Sequence, residues 1–527
     1  MNRIKPRYDV VIIGAGHNGL VAASYLGRAG LSVLMLESLP SVGGAAKSSR
    51  PFHGVDAKLS VYSYLVSLFP QKIVDDLNLN LQLRSRRIAS YTPTFQDDQF
   101  HELLVHNDCP KTTQTSFQKL PNGEKDYRGY LKLQSMQLAI AKKLWPTLLQ
   151  PLKAKSDLMA DLNQEELEAW DALIETPLGE AIEEHVSNDL IRGMLFTDAK
   201  IGVFTHPHDS TLLQNLTYLY HIIGRGTGEW HVPVGGMGSL TASLTQSALE
   251  SNVTIVTEAK VTKVQTDNQN ASLTFEKDGK HHHVDGRFIL NNAAPKILDS
   301  LIGNPPKSIR AIDEGSVVKI NLLLKKLPTL RSTLTNPLDA FSGTFHIDEG
   351  YEQMTDNYHK AAAGQIAEHP AGEMYCHSLT DNSILSDRLN QQGYHTLTLF
   401  GLDMPYSLFE KNNDQLRSNV LERFLAGINQ YTKEPIQECI AQDSNGAPCI
   451  EIKTPVDLEK EIHLPRGNIF HNALTWPFAE ENDEAGSWGV ETDLPNIFTC
   501  GSGARRGGAV SGIPGHNAAK KIVEITR

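Results

Sequence analysis

Apolar residues fall along this chain in blocks of two different periods. Tyr8-Asp9-Val10-Val11-Ile12-Ile13 opens a β-branched run, which Gly14-Ala15-Gly16-His17-Asn18-Gly19 stops at once. Leu20-Val21-Ala22-Ala23-Ser24-Tyr25-Leu26 follows with a helical pattern that ends between Gly27 and Gly30. Leu31-Ser32-Val33-Leu34-Met35-Leu36-Glu37 is then a second apolar run. This order predicts strand, glycine turn, helix and a second, parallel strand. The carboxyl end has a related pattern. Asn496-Ile497-Phe498-Thr499-Cys500 predicts a short buried strand, and a glycine-rich stretch from Gly501 to Gly515 leads into a final helix. Ser511 is a candidate cap for that helix, and Pro514 suits its first turn.

A third block of this kind lies in the middle. Trp230 to Leu240 carries Pro233-Val234-Gly235-Gly236-Met237-Gly238 ahead of an amphipathic helix running through Leu249. Asn252 to Val264 predicts a pair of strands and 266–287 a polar hairpin. Phe288 to Pro295 predicts a strand returning to the first sheet. His281-His282-His283 lies in the hairpin, where three consecutive strand residues cannot all face one ion, so no metal site is expected. Between these blocks, 76–230 predicts mostly helix, as in Tyr130 to Ile140, and 311–460 mixes helices with strands such as Val317 to Leu324. The expected organisation is a cofactor domain in three pieces, 1–75, 231–310 and 461–527. The blocks 76–230 and 311–460 form a substrate domain inserted into it.

Length and composition agree with this division. A chain of 527 residues exceeds what one hydrophobic core normally supports. With 40% hydrophobic and 21% charged residues it can bury large cores. No apolar run approaches the roughly 18 residues that a membrane span needs. Only Met1 to Arg7 precede the first strand, leaving no room for a signal or transit peptide, so a cytoplasmic protein is expected. The net charge of -12 counts against nucleic acid as a partner. It leaves peripheral contact with a membrane open, and Leu144-Trp145-Pro146-Thr147-Leu148-Leu149 reads either as such a contact or as core. The five cysteines are scattered and form no CxxC, which removes a disulfide scaffold and a dithiol redox centre and fits a reducing compartment.

The first motif carries the chemistry. Gly14 permits the tight turn, Gly16 the approach of a pyrophosphate to the backbone, and Gly19 close packing of helix on strand. The uncovered N–H groups of the helix start attract the phosphates. Ala15 and Asn18 belong to the same turn. Glu37 closes the second strand, where a carboxylate accepts the hydroxyls of an adenosine ribose. Beyond it, Ser38 leads to the doublet Gly43-Gly44 and Ala45, a second stretch of bare backbone beside the dinucleotide.

This extended fingerprint resembles that of the FAD-dependent amine oxidase and phytoene desaturase superfamily. Gly43-Gly44-Ala45-Ala46 is similar to its carotenoid desaturase branch. Together with Ala57 to Leu65 and the C-terminal motif, it resembles the phytoene-dehydrogenase-related oxidoreductases, a group that includes the pyridine nucleotide-disulfide oxidoreductase domain-containing protein 2 type. The resemblance implies FAD as cofactor. It also implies an α/β fold with a Rossmann-type, GR2-like FAD-binding domain and an inserted mixed α+β substrate domain. In such relatives the residue matching Val261 meets the adenine through its backbone. The segment holding Gly501, Gly503, Gly512 and Ile513 embraces the flavin ring. Many relatives have Pro-Gly-Gly-Gly where this chain has Arg506-Gly507-Gly508-Ala509. No second GxGxxG unit for a nicotinamide nucleotide is present.

The implied reaction is hydride transfer from a substrate C–H bond to flavin N5. The expected substrate is an apolar, carotenoid- or polyene-like small molecule undergoing desaturation, with a quinone or oxygen as electron acceptor. Redox-neutral isomerisation also occurs among the relatives. The alternatives are a flavin amine or amino-acid oxidase, and a non-enzymatic member of the fold that binds lipids or prenylated proteins. Arg505 and His516 are the catalytic candidates, chosen for their place in the flavin-facing motif. For Arg505 and Arg506, contact with flavin or an acidic substrate competes with a solvated surface position.

Overall fold

The structure, a computed structural model, describes residues 4–96, 99–267, 269–305 and 310–527. In chain order the elements that position the site are β1 (Arg7–Ile13), α1 (His17–Arg28), β2 (Val33–Leu36), β3 (Ile88–Gln96), β4 (Gln99–His106), α2 (Gly123–Leu144) and α3 (Asp189–Phe196). There follow α4 (Met237–Glu250), β5 (Thr254–Val256), β6 (Lys260–Thr266), β7 (Ala271–Lys277), β8 (Lys280–Asn291) and β9 (Val318–Leu324). The chain ends through β10 (Thr344–Ile347), β11 (Gly372–Tyr375), β12 (His395–Gly401), α5 (Asn413–Tyr431), β13 (Ile450–Lys453), β14 (Ile497–Thr499) and α6 (Ile513–Thr526).

The first sheet has the order β6-β7-β8-β1-β2-β5, with β14 added against β8. Around β1 it is parallel: β1 pairs with β8 on one side and β2 on the other, and β2 pairs with β5. Alternation along β1 explains its two buried faces. Val10 and Ile12 pack in the cluster containing Leu20, Leu240 and Ala518 from the helices. Val11 and Ile13 point the other way, into the cluster with Phe275 and Val284 of the hairpin. A strand buried on both faces reads as a continuous apolar run, as Val10 to Ile13 does. The fold is α/β, with a Rossmann-type domain.

The last element closes on the first. Ile497, Phe498 and Thr499 pair in parallel with Ile289, Leu290 and Asn291. Helix α6 lies so near α1 that a Cβ on Gly515 would sit 2.0 Å from the Asn18 carbonyl oxygen. Glycine is the residue that allows this approach.

The second sheet has the order β13-β9-β12-β11-β10-β3-β4. It is antiparallel except where β10 runs parallel to β3. One face buries Val318, Ile320, Leu322, Phe345, Met374 and Leu399, together with Phe424 and Ile428 of α5. The intervening residues on the opposite face include Lys319, Thr344, His346, Glu373, Tyr375 and Phe400, all of which reach a cavity.

One expectation is corrected and one is refined. Asn252 to Val264 does not form a strand pair. β5 extends the sheet beside β2, whereas β6 pairs with β7. The turn between them is held by Glu258 N–H to the Leu39 carbonyl and Ala259 N–H to the Glu37 carbonyl, so it wraps over the end of β2. The block 76–230 is helical after its opening, but that opening contributes the β3–β4 hairpin to the second sheet.

Leu144 and Leu148 are fully buried, and Trp145 and Leu149 pack on the same core, so that stretch is interior. The His281–His283 triplet lies on β8, where His282 stacks on Phe275. Among the described residues no helix is long and apolar enough to cross a membrane.

Candidate functional site

One cavity of about 1190 Å³ runs from the β1–α1 turn to the polar face of the second sheet. At the first end Gly14, Gly16, Asn18, Glu37, Ser38, Gly44, Ala45 and Val261 all line it. Ala15 and Gly43 lie just behind. The Gly43 N–H donates to the Ala15 carbonyl at 2.8 Å, which ties the second glycine doublet to the first turn. The Ala15 N–H donates to Glu37 Oε2 at 2.7 Å, and the Leu39 N–H to Glu37 Oε1 at 2.9 Å. Gly19 faces away from the cavity: a Cβ there would lie 2.8 Å from the Gly14 carbonyl oxygen.

This end fits a dinucleotide. No side chain caps α1, so its first N–H groups keep their hydrogen-bonding capacity for an anion. Asn18 Oδ1 and His17 Nε2 are buried without partners among the described residues, and both residues line the cavity. Burial holds the His17 and His471 imidazoles neutral, each pushed down to about 4. An orphaned polar atom in an otherwise satisfied wall is a group waiting for a polar ligand.

The C-terminal motif arrives differently from the sequence expectation. Ser502, Gly508, Ala509 and Val510 line the cavity, whereas Gly501, Gly503, Gly512 and Ile513 do not. A Cβ on Gly501 would strike the Asn292 carbonyl, and one on Gly503 would strike Pro295, so these glycines serve strand and loop packing. Gly512 is the residue that opens α6, and the Ser511 hydroxyl accepts the Ile513 N–H.

Both catalytic candidates are corrected. Arg505 lies outside the lining and makes ion pairs with Glu480 and Glu484. His516 is buried in α6, edge-on to Tyr25 5.1 Å away, with Nδ1 2.9 Å from Asn517 Oδ1. Arg506 is neither solvated nor in the lining. Only 1% exposed, it donates to the carbonyls of Thr147, Gln150 and Trp488 and so fastens the flavin-motif loop to the inserted domain.

The far end of the cavity holds groups that were not selected from the sequence. Glu373 on β11 lies opposite His346 on β10 and accepts the Tyr64 hydroxyl at 3.3 Å. Burial pushes its carboxyl up to about 8. Lys319 on β9 donates to the Ser60 carbonyl at 2.5 Å, and its ammonium lies 5.0 Å from the Tyr64 ring centre. Burial pushes it down to about 7, against the attraction of Glu451. His346 is pushed by burial down to about 3, with Arg86 adding to the effect. Asp198, in the turn after α3, is raised by burial, while His221 and Arg86 oppose the rise. Such shifts cluster where chemistry is done.

The signal for this wall was present in the chain as strict alternation. Val318-Lys319-Ile320-Asn321 and Thr344-Phe345-His346-Ile347 place polar residues on one face of strands whose other face is core. An apolar wall completes the space with Leu65, Leu68, Met194, Leu195 and Leu474. The lining residues exposed at the outer rim of this end are polar: Ser85, Arg87, Asn107, Asp108 and Thr227.

Comparison with known proteins follows the same division. Residues 12–73 match the family model described as NAD(P)-binding Rossmann-like domain. An uncharacterized protein of Mycobacterium tuberculosis is 43% identical over 525 residues, covering 98% of this chain and 97% of its own. Pyridine nucleotide-disulfide oxidoreductase domain-containing protein 2 of Mus musculus is 29% identical over 573 residues, covering 99% and 94%. Among solved structures, an engineered putrescine oxidase superposes with a TM-score of 0.59 at 17% identity, covering 98% of this chain and 99% of its own. At that identity the likeness is one of fold.

Proposed function

The chain belongs to the family of the mycobacterial proteins that it matches at 43% identity and shares the fold of putrescine oxidase, and from that premise we propose that it is an FAD-dependent oxidoreductase acting on amines. The name of the mouse relative supports the oxidoreductase class, and the Rossmann-type turn with its orphaned polar groups supports a dinucleotide cofactor. The amine substrate is our reading. It rests on one observation: the cavity that starts at the dinucleotide turn ends on buried ionisable side chains rather than on a uniformly apolar wall.

A polyene has nothing to offer Glu373, Asp198, Lys319 or Arg86, and leaving such groups desolvated beside hydrocarbon is costly. An ammonium can donate hydrogen bonds to the carboxyl oxygens of Asp198 and Glu373, and its charge favours the ionised form of each. The polar rim of Ser85, Arg87, Asn107, Asp108 and Thr227 likewise suits a molecule that arrives from water rather than from a lipid layer. Putrescine oxidase, whose name makes it an amine oxidase, shares the fold.

FAD, when bound, supplies the acceptor for the hydride that leaves the carbon next to the substrate nitrogen. His17, Asn18, Glu37 and the uncapped start of α1 are the groups that would hold its dinucleotide part. The protein's own part at the far end is orientation, exclusion of water and proton handling. Leu65, Leu68, Phe400 and Leu474 provide the dry wall. Lys319 Nζ, pushed toward the neutral amine at about 7, is suited to accept the proton that the substrate nitrogen releases.

The test is anaerobic reduction of the flavin-loaded protein by a panel of primary amines, amino acids and polyenes. Bleaching by nitrogen compounds supports this reading, with hydrogen peroxide in air identifying oxygen as the acceptor. Bleaching by polyenes alone overturns it.

A further inference from the structure

Resting on the amine reading, we infer that the substrate is a zwitterion of the amino-acid class, its carboxylate held by Arg86 and its ammonium facing Asp198. Three arginines near the start of the inserted domain carry the first half of this inference. Arg87 makes an ion pair with Asp339, and Arg84 lies 3.7 Å from Asp381. Arg84 lies outside the lining and Arg87 lines the cavity at its exposed edge, whereas Arg86, which also lines it, makes no ion pair among the described residues. Its Nη1 donates to Thr344 Oγ1 at 3.1 Å, its guanidinium lies 5.4 Å from the Tyr375 ring centre, and its Nε is buried without a partner.

Asp198 carries the second half. It lines the same cavity, half-buried, and its carboxylate takes part in no hydrogen bond or ion pair among the described residues. Buried opposite charges normally pair, because each left alone forfeits its solvation. Here the fold keeps an arginine and an aspartate, both half-buried, on the wall of one cavity without joining them. A ligand bearing both complementary charges satisfies both at once. The planar guanidinium fork matches a carboxylate in particular, since two parallel N–H groups can meet its two oxygens. Leu65, Leu68, Met194 and Leu195 offer apolar surface on the same stretch of wall, which suits an aliphatic side chain.

The experiment is calorimetric titration of the FAD-loaded protein with three matched probes: leucine, isopentylamine, which lacks the carboxylate, and 4-methylpentanoate, which lacks the amine. Leucine is expected to bind about tenfold or more tightly than either, a difference of about 1.4 kcal/mol or more. Arg86→Gln should bring leucine down to the level of isopentylamine, whose own affinity stays within about twofold. Asp198→Asn should bring leucine down to the level of 4-methylpentanoate. Should a variant fail to fold, the ranking of the three probes on the unmodified protein decides.

Isopentylamine binding as tightly as leucine, leucine binding unchanged in Arg86→Gln, or no binding of any probe would each overturn the inference. Anaerobic bleaching is read separately in the same samples. Preferential leucine binding without bleaching keeps the zwitterion site and removes amine oxidation. Bleaching by isopentylamine with no preference for leucine keeps amine oxidation and removes the zwitterion site.

Discussion

The Glu37 carboxylate accepts the Ala15 backbone N–H at 2.7 Å, so the acid that ends β2 holds the turn that ends β1. A carboxylate has about four acceptor positions, and these internal bonds leave capacity for a ribose. Glu37→Ala removes both functions. It should weaken FAD binding by about tenfold or more and destabilise the apoprotein by about 1–3 kcal/mol, the cost of unsatisfied buried N–H groups. Fluorescence titration with FAD and denaturant unfolding without it check the two effects independently.

Gly19 points into the protein rather than at the cavity, so its substitution should act on stability first. Gly19→Ala places a methyl group 2.8 Å from the Gly14 carbonyl oxygen and 3.0 Å from Asn292 Cγ. Overpacking of this kind costs about 1–3 kcal/mol. Unfolding of the apoprotein should show the loss. An unchanged midpoint would mean that helix and strand lie farther apart than described.

Arg505 and Arg506 are neighbours with opposite roles. Arg505 makes partly exposed ion pairs, worth about 0–1 kcal/mol, outside the cavity. Arg505→Gln should leave FAD content and turnover within about twofold. Arg506→Met strands three carbonyl groups that the guanidinium now satisfies, and should cost about 3 kcal/mol or more. Comparison of the two variants by thermal unfolding and flavin absorbance separates a fastening from a catalytic role.

Glu373 gives a pH dependence of definite sign. Its carboxyl, raised by burial to about 8 from an unfolded value of about 4.3, keeps its proton in the folded chain across that window. The folded state therefore binds more protons than the unfolded state there. This group's contribution to stability is fully present below about 4.3 and is lost as pH rises toward 8. Glu373→Gln cannot ionise, so its unfolding midpoint should gain on that of the unmodified protein between about pH 5.5 and 8.5. A difference that does not vary with pH would place the titration elsewhere.

How much of this was legible in the chain depends on range. Gly14 to Gly19, Glu37 and the final helix are local signals: glycine punctuation and apolar period state them within a few residues. Arg86, Asp198, Lys319, His346 and Glu373 are scattered across almost 290 residues of sequence: Lys319, His346 and Glu373 meet because β9, β10 and β11 join one sheet, and Arg86, just before β3, and Asp198, in the turn after α3, reach the same cavity. No short window contains that convergence. Arg505 and His516 show the reverse error. They lie inside a flavin-facing motif, but Arg505 turns to Glu480 and Glu484, and His516 lies on the α6 face that meets Tyr25. Position in a motif fixes the backbone and leaves side-chain direction to the packing.

The central measurement is the flavin stoichiometry of the purified protein after incubation with FAD and gel filtration, read from absorbance and from FAD released on denaturation. One FAD per chain, falling sharply in Glu37→Ala, is the expected result. A protein that elutes colourless and takes up no FAD would contradict a flavin site between the β1–α1 turn and the polar wall of the second sheet.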